Sequence, residues 1–325
     1  MMKSDMSVKQ LKKLRMHTSK LSSFFERLFF KPNLLDWVFI FLLFPLSFSY
    51  GLLMLFRRFL ISKKSYNVPI VSIGNLIVGG SGKTPFVIAL LKEYTNATII
   101  SRGYGRQSRG LIEVSRNGNI LSDVFSSGDE AMLMATSLPN ASVMVSENRD
   151  IAIEQAINTG STVIFLDDGF NRVNINKYEI LLFPQVIKNY FPFPSGPFRE
   201  FFFMKYLADL VLYEKKDFQR IVKIENSSDK MLLVTAISNP DRLNPFLPKG
   251  VVAKIYLDDH AYFNEILLKK KMLDLGATSL LVTQKDEVKM KDFKLSLSVM
   301  KLELKIKNEI LEKIHKYVEE FRDAR

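Results

Sequence analysis

Residues 68–86, VPIVSIGNLIVGGSGKTPF, put a short apolar strand, a glycine-rich turn and a helix start in immediate succession. No other stretch narrows the choice of fold as much. Successive N–H groups of a glycine turn can converge on an anion, and the helix N-terminus behind it adds partial positive charge. Here Gly79, Gly80, Ser81 and Gly82 make the turn, Lys83 is placed to reach terminal phosphates, and the Thr84 hydroxyl can face a magnesium ion. Strict phosphate-loop spacing needs a glycine at position 77, where isoleucine stands, so the match is to G-G-x-G-K-T. The expectation is a nucleoside triphosphate site at the carboxyl edge of a parallel sheet, where such folds bind ligands.

The rest of the chain agrees with that architecture. Strands are expected at 70–73, 97–101, 142–145 and 162–166, and helices at 85–94, 129–136 and 150–158. Alternation of this length gives a parallel sheet covered on both faces. Prolines 192, 194 and 197 interrupt regular structure in a phenylalanine-rich stretch. Alternation resumes with strands at 231–236, 251–257, 279–282 and 297–304, and helices at 263–275 and 308–321. The fold class expected is therefore α/β: a P-loop-type parallel sheet with helices on both faces, a second smaller α/β domain, and an N-terminal hydrophobic helix. The domains divide as 1–64, a basic membrane-associated region; 65–215, which carries the phosphate loop; and 216–325, which closes over the site.

Charge is uneven. Residues 1–64 hold twelve Lys or Arg against three acids, +9 of the chain's total of +12. These cations flank the 23-residue apolar run 34–56, in which Asp36 is the one charge. As a helix this run is roughly 34 Å long, enough to cross a ~30 Å hydrocarbon core. Positive charge on both sides resists translocation of either tail, and Pro45 allows a kink. The favoured reading is a helix buried in one leaflet with both tails cytoplasmic; a true span, or a helix of a soluble core, are the alternatives. A nucleic-acid-binding protein would explain the charge but not its place beside an apolar run. The absence of cysteine excludes disulfides and thiolate metal sites, and three scattered histidines give no zinc site.

Several residues suit phosphoryl chemistry. Asp167 and Asp168 end an apolar strand before a glycine, where a magnesium-directed acid belongs beside a phosphate loop; an Asp-Gly turn looks the same in isolation. Asp129 and Glu130 start a helix and read equally as caps or as catalytic acids. The SRGYGR segment, with Arg102 and Arg106, suits phosphate or head-group contact, or forms a solvated loop. Arg199 and Glu200 of PSGPFRE could simply pair with each other. His260 has acidic neighbours and reads as structural or as a proton-transfer partner. TQKD at 283–286 lacks the leading Asn of a guanine-recognition element.

Taken together, VPIVSIGNLIVGGSGKTP, SRGYGR, SGDE, ENRD, LDDGF, PSGPFRE, Asp259-His260 and TQKDEVK resemble the tetraacyldisaccharide 4′-kinases, the lipid A 4′-kinases of Gram-negative bacteria. The resemblance reaches from the apolar segment to about residue 290. It implies ATP and Mg2+ as cofactors and, as product, the 4′-phosphorylated lipid IVA type. The acceptor it implies is an acylated glucosamine disaccharide 1-phosphate, met at the cytoplasmic face of the inner membrane. No nucleic acid and no obligate protein partner are implied. Carried over, it makes Lys83 the phosphate clamp and Thr84, Asp167 and Asp168 the magnesium ligands. Asp129 becomes the base for the sugar hydroxyl with His260 in support, while Arg102, Glu130, Arg149, Arg199 and Glu200 contact substrate. The chain departs from the family where Asn171-Arg172 stand in place of Gln-His, and where Gln284 replaces Glu. A membrane-tethered ATPase or GTPase switch without lipid transfer is the rival from another class.

Overall fold

The computed structural model describes residues 24–79 and 82–324. The basic stretch before residue 24, together with Gly80 and Ser81 of the glycine turn, lies outside the described residues. Among the described residues the strands form two sheets. The first holds β1 (Ile70–Gly74), β2 (Ala97–Ser101), β3 (Ile112–Arg116), β4 (Asn119–Ile120), β5 (Ala141–Val145), β6 (Val163–Asp167), β7 (Tyr178–Phe183) and β8 (Leu210–Tyr213). Its order is β4-β3-β5-β2-β6-β1-β7-β8. The six strands from β5 to β8 run parallel, and β3 and β4 add an antiparallel edge. In this register Ile73 of β1 lies beside Asp167 of β6. The turn after β1 and the acids after β6 therefore leave the same edge side by side.

Apolar runs such as VIFLD are buried on both faces because helices cover both. Helices Lys83–Leu91 and Asp129–Ser137 pack Phe86, Val87, Leu90, Met134 and Ala135 against Val71, Ile99, Val143 and Phe165. On the other face, helix Arg149–Asn158 sets Ala152, Ile153 and Ala156 against Ile70, Ile100, Met144 and Ile164.

The second sheet, β9 (Phe218–Glu225), β10 (Met231–Thr235), β11 (Val251–Tyr256), β12 (Ser279–Thr283) and β13 (Leu297–Ile306), is ordered β11-β10-β12-β13-β9. It is parallel except for β9. Helix Glu265–Leu275 covers one face through Leu268 and Met272. The two sheets are not separately cored. Phe218, Leu304 and Ile306 enter the core of the first sheet, and the last helix, Asn308–Asp323, returns to it through Ile310, Ile314 and Val318. Those positions are four apart, one stripe of a helix.

The apolar run forms one helix, Leu34–Leu60, four residues longer than expected at its end, so Arg57 and Arg58 lie in its last turn; Pro45 sits inside it. Asp36 closes a capping box with Asn33 and is bonded by Arg27 at 2.8 and 3.0 Å. The helix lies along the protein. Ile40, Ser47 and Gly51 form its buried face, where Ser47 Oγ bonds Ser195 Oγ at 2.7 Å and Gly51 sits under the Phe201 ring. Leu34, Leu35, Val38, Leu42, Leu53 and Phe56 stay exposed on the other side.

Candidate active site

Lys83 and Thr84 are the first residues of their helix, two residues earlier than expected, and Gly79 and Gly82 both take the left-handed backbone that favours glycine (φ 95° and 79°). Lys83 Nζ donates to Asn75 Oδ1 at 3.1 Å and lies 3.4 Å from Asp168 Oδ1. Asp168, itself left-handed at φ 53°, also accepts two bonds from Arg199 at 2.9 and 3.1 Å. Burial opposes its charge, but Lys83 and Arg199 outweigh that and hold its carboxyl below the usual range.

Asp167 differs from its neighbour. Its Oδ2 accepts from Ser101 Oγ at 3.2 Å, while Oδ1 is buried with no hydrogen-bond partner among the described residues. Burial pushes this carboxyl up to about 6, against the pull of Lys83. Arg149 straps the strand ends beneath it: its guanidinium donates to the carbonyls of Ser101 (2.8 Å), Ser146 and Asp167 (3.3 Å). Burial brings Arg149 down to about 10. It lines the cavity, but its described hydrogen bonds all go to backbone.

Across a cavity of about 840 Å³ stands a second group. Asp129, the first residue of its helix, is buried, and both its oxygens lie 2.9 Å from His260 Nδ1. His260 lines the cavity, with Asp129 behind it. The imidazole comes from the loop after β11 of the second sheet and Asp129 from a helix packed on the first, and SRGYGR lies against their meeting point. Gly105 is left-handed at φ 77°, and a Cβ there would stand 3.2 Å from His260 Nδ1; the Tyr104 ring packs 5.0 Å from the imidazole.

Two lysines complete this group. Lys285 Nζ lies 3.3 Å from Glu130, 3.7 Å from Asp129 and 3.5 Å from His260 Nε2. The buried Lys289 reaches Asp129 at 3.5 Å and donates to Ala261 O at 3.1 Å. Burial alone would raise the Asp129 carboxyl; the His260 hydrogen bond, Lys285 and Lys289 hold it below the usual range. Sequence reading did not single out either lysine, although TQKDEVK sets them four residues apart, one helical face. The Asp of that motif is structural: Asp286 accepts from Thr235, Thr283 and the Ala236 amide at 2.6, 2.7 and 3.1 Å.

Of the expected substrate contacts, Arg102, Glu130, Arg149 and Arg199 line the cavity. Glu200 is not among its lining residues: it is buried and held at 2.8 and 3.0 Å by Arg58 of the apolar helix. Arg106 is likewise spent, on Glu147 and on Gly110 O at 2.7 Å. Arg57 donates to Asn171 O at 2.9 Å, so the end of the apolar helix is tied to the loop that follows Asp168.

Residues 39–319 match the family model described as tetraacyldisaccharide-1-P 4′-kinase. The tetraacyldisaccharide 4′-kinase of Helicobacter acinonychis is 50% identical over 297 residues, 91% of this chain and 95% of that protein. That of Aliarcobacter butzleri is 42% identical over 314 residues, covering 93% and 99%. A crystal structure of LpxK from Aquifex aeolicus in complex with ATP superimposes with a TM-score of 0.72 at 26% identity, covering 87% of this chain and 99% of that one.

Proposed function

We infer the reaction from one premise: this chain belongs to the tetraacyldisaccharide-1-P 4′-kinase family. It is a lipid kinase that transfers phosphate from ATP to the 4′-hydroxyl of a tetraacyl disaccharide 1-phosphate in lipid A biosynthesis. The observation that carries this reading onto the chain's own residues is the single cavity with Lys83, Asp167 and Asp168 on one wall and His260, backed by Asp129, on the other.

We assign the roles as follows. The glycine turn and Lys83 hold the terminal phosphates, with the helix N-terminus behind them. The residues present fit Mg2+: Asp167 Oδ1 is a buried hard oxygen without a partner among the described residues, and Asp168 and Thr84 line the same cavity. Bound there, Mg2+ would offset charge on the phosphate oxygens while keeping several waters. The acceptor's 4′-oxygen attacks the γ-phosphorus in line, the bond to the β,γ-bridging oxygen breaks, and ADP departs. The hydroxyl proton passes to the Asp129–His260 pair, in which the imidazole faces the substrate and the carboxylate fixes its tautomer. Arg102 and Glu130 contact the sugar-phosphate head group. Arg199 acts through Asp168, and Glu200 through Arg58, as positioning residues. Residues 216–325 form the part that closes over the site, through His260 and Lys285. The exposed apolar face of Leu34–Leu60 lies in the cytoplasmic leaflet of the inner membrane, so that the acyl chains stay in lipid while the sugar enters the cavity.

The test is transfer of labelled γ-phosphate from ATP to the disaccharide 1-phosphate in detergent with Mg2+. Wild type should give lipid product, and Asp129→Asn should lose roughly 10³-fold or more in kcat with ATP affinity unchanged. ATP hydrolysis without lipid product would overturn the kinase reading in favour of a tethered ATPase.

A further inference from the structure

Arg220 belongs to β9 of the second sheet, yet its side chain leaves that sheet and lies against the phosphate loop of the first. Its Nη2 is 2.9 Å, and its Cζ 3.4 Å, from the position a Cβ on Gly82 would take. Gly82 directly precedes Lys83, so the guanidinium rests on the backbone that opens the phosphate-binding helix. The guanidinium is held by one edge. Nε stands 3.0 Å from Glu214 Oε1 as an ion pair without hydrogen-bond geometry, and among the described residues no hydrogen bond occupies Nη1 or Nη2. Arg220 is half-buried and stands in the wall between the site cavity and a second cavity of about 800 Å³ behind the loop. Arg242, from the segment Pro240–Phe246, stands in that same wall, near enough to Arg220 for each charge to oppose the other. Two guanidiniums brought together beside a phosphate loop are favourable when an anion lies between them.

We propose that Arg220 is a catalytic residue of the transfer: its free Nη edge donates to the terminal phosphates of ATP, supplied by the second sheet across the loop. This rests on the reading that ATP binds at the loop. Glu214 orients the fork without occupying it, and Gly82, held to glycine by its left-handed φ of 79°, leaves the guanidinium room against the backbone. An arginine placed on the transferring phosphoryl group offsets charge that grows as the leaving oxygen separates. The planar fork matches phosphate in a way an ammonium does not. The arrangement also makes the second sheet a participant on the nucleotide side of the reaction, in addition to bringing His260 to the acceptor side.

The experiment uses the full chain in detergent with Mg2+. A fluorescent ATP analogue is displaced by ATP or by AMP, and kcat is measured alongside, for wild type, Arg220→Gln and Arg220→Lys. Arg220→Gln should weaken ATP by about 10- to 100-fold, the range for a charged hydrogen bond, leave AMP within about twofold, and lower kcat by about 10²-fold or more. Arg220→Lys should recover most of the ATP affinity and little of kcat. Equal weakening of ATP and AMP would make Arg220 structural, and unchanged ATP affinity and kcat in Arg220→Gln would remove it from the site; either overturns the proposal. If Arg220→Gln does not fold, Arg220→Lys decides alone: full kcat with the lysine overturns it. Wild type that binds ATP but phosphorylates no lipid leaves the affinity test standing, so this proposal and the kinase reading fail separately. Wild type that binds no ATP overturns both.

Discussion

Asp167, in the wall of the cavity, and Asp129, behind His260 on the opposite side, are both buried carboxylates, and their charges are met in opposite ways. Asp129 meets His260, Lys285 and Lys289, accepts from the Glu130 amide as well, and stays ionised. Among the described residues Asp167 has one hydroxyl donor and an oxygen with no partner, and burial pushes it up to about 6. A buried charge left without partners costs stability. The protein tolerates that cost at Asp167 and removes it at Asp129. The difference fits the roles proposed for them, an incoming cation at Asp167 and a proton at Asp129.

The largest effect expected from breaking this contrast is at Asp167. Asp167→Asn should abolish transfer under Mg2+ yet raise the melting temperature of the metal-free protein at pH 7.5. The sign follows from linkage. The folded carboxyl sits near 6 and the unfolded one near 3.8, so ionisation costs stability once pH passes 4. That cost is complete above about 6 and amounts to no more than about 3 kcal/mol. The gain from Asn should shrink as pH is lowered toward 4. Scanning calorimetry in EDTA checks it, and a fall in melting temperature at pH 7.5 would mean that Asp167 is already satisfied in the free protein.

A smaller effect is expected at Lys289, which sharpens the other half of the comparison. Lys289→Met removes one of the cations that hold Asp129 down, while His260 and Lys285 remain and the Tyr262 hydroxyl lies near. The Asp129 carboxyl should rise, so the acid limb of kcat should move to higher pH, with roughly a tenfold loss at neutral pH. A purely structural lysine would lower the folded fraction and leave the pH profile where it was.

How much of this was legible in the sequence depends on the range of the interactions. The strand before the glycine turn, the strand-end acids and the alternation of 97–166 are local patterns, and the described elements lie within a few residues of where they are expected. The hairpin β3–β4 was also legible and went unread: Asn117-Gly118, with φ of 44° and 83°, is the Asn-Gly pair that two-residue hairpins favour. Strands β7 and β8 lie beside or within the Phe- and Pro-rich stretch, where their short apolar runs were indistinguishable from loop. The fate of Glu200 was not legible, because Arg58 lies 142 residues earlier and only folding brings the two together. The Asp129–His260 pair spans 131 residues and two sheets. No periodicity connects them; the resemblance did. Arg220 lies just past the expected division at 215/216, and only its approach to Gly82 distinguishes it from a surface cation.

The smallest effect is expected where the two halves of the site touch. Gly105 and Gly110 flank the same loop with nearly the same backbone, φ 77° and 75°. Alanine at either pays the left-handed strain of about 1 kcal/mol, a drop in melting temperature of about 1–2 °C for a chain of this length. The surroundings differ: a Cβ at Gly110 meets nothing within 4 Å, while one at Gly105 stands 3.2 Å from the His260 nitrogen that bonds Asp129. Gly110→Ala should therefore lose stability alone. Gly105→Ala should lose the same stability and, in addition, a few-fold in kcat, because the ring must shift by tenths of an ångström from its carboxylate. Subtracting one variant from the other isolates the contact from the strain. Equal kcat in the two would mean that the loop does not set the position of His260, and that the Asp129 hydrogen bond alone does.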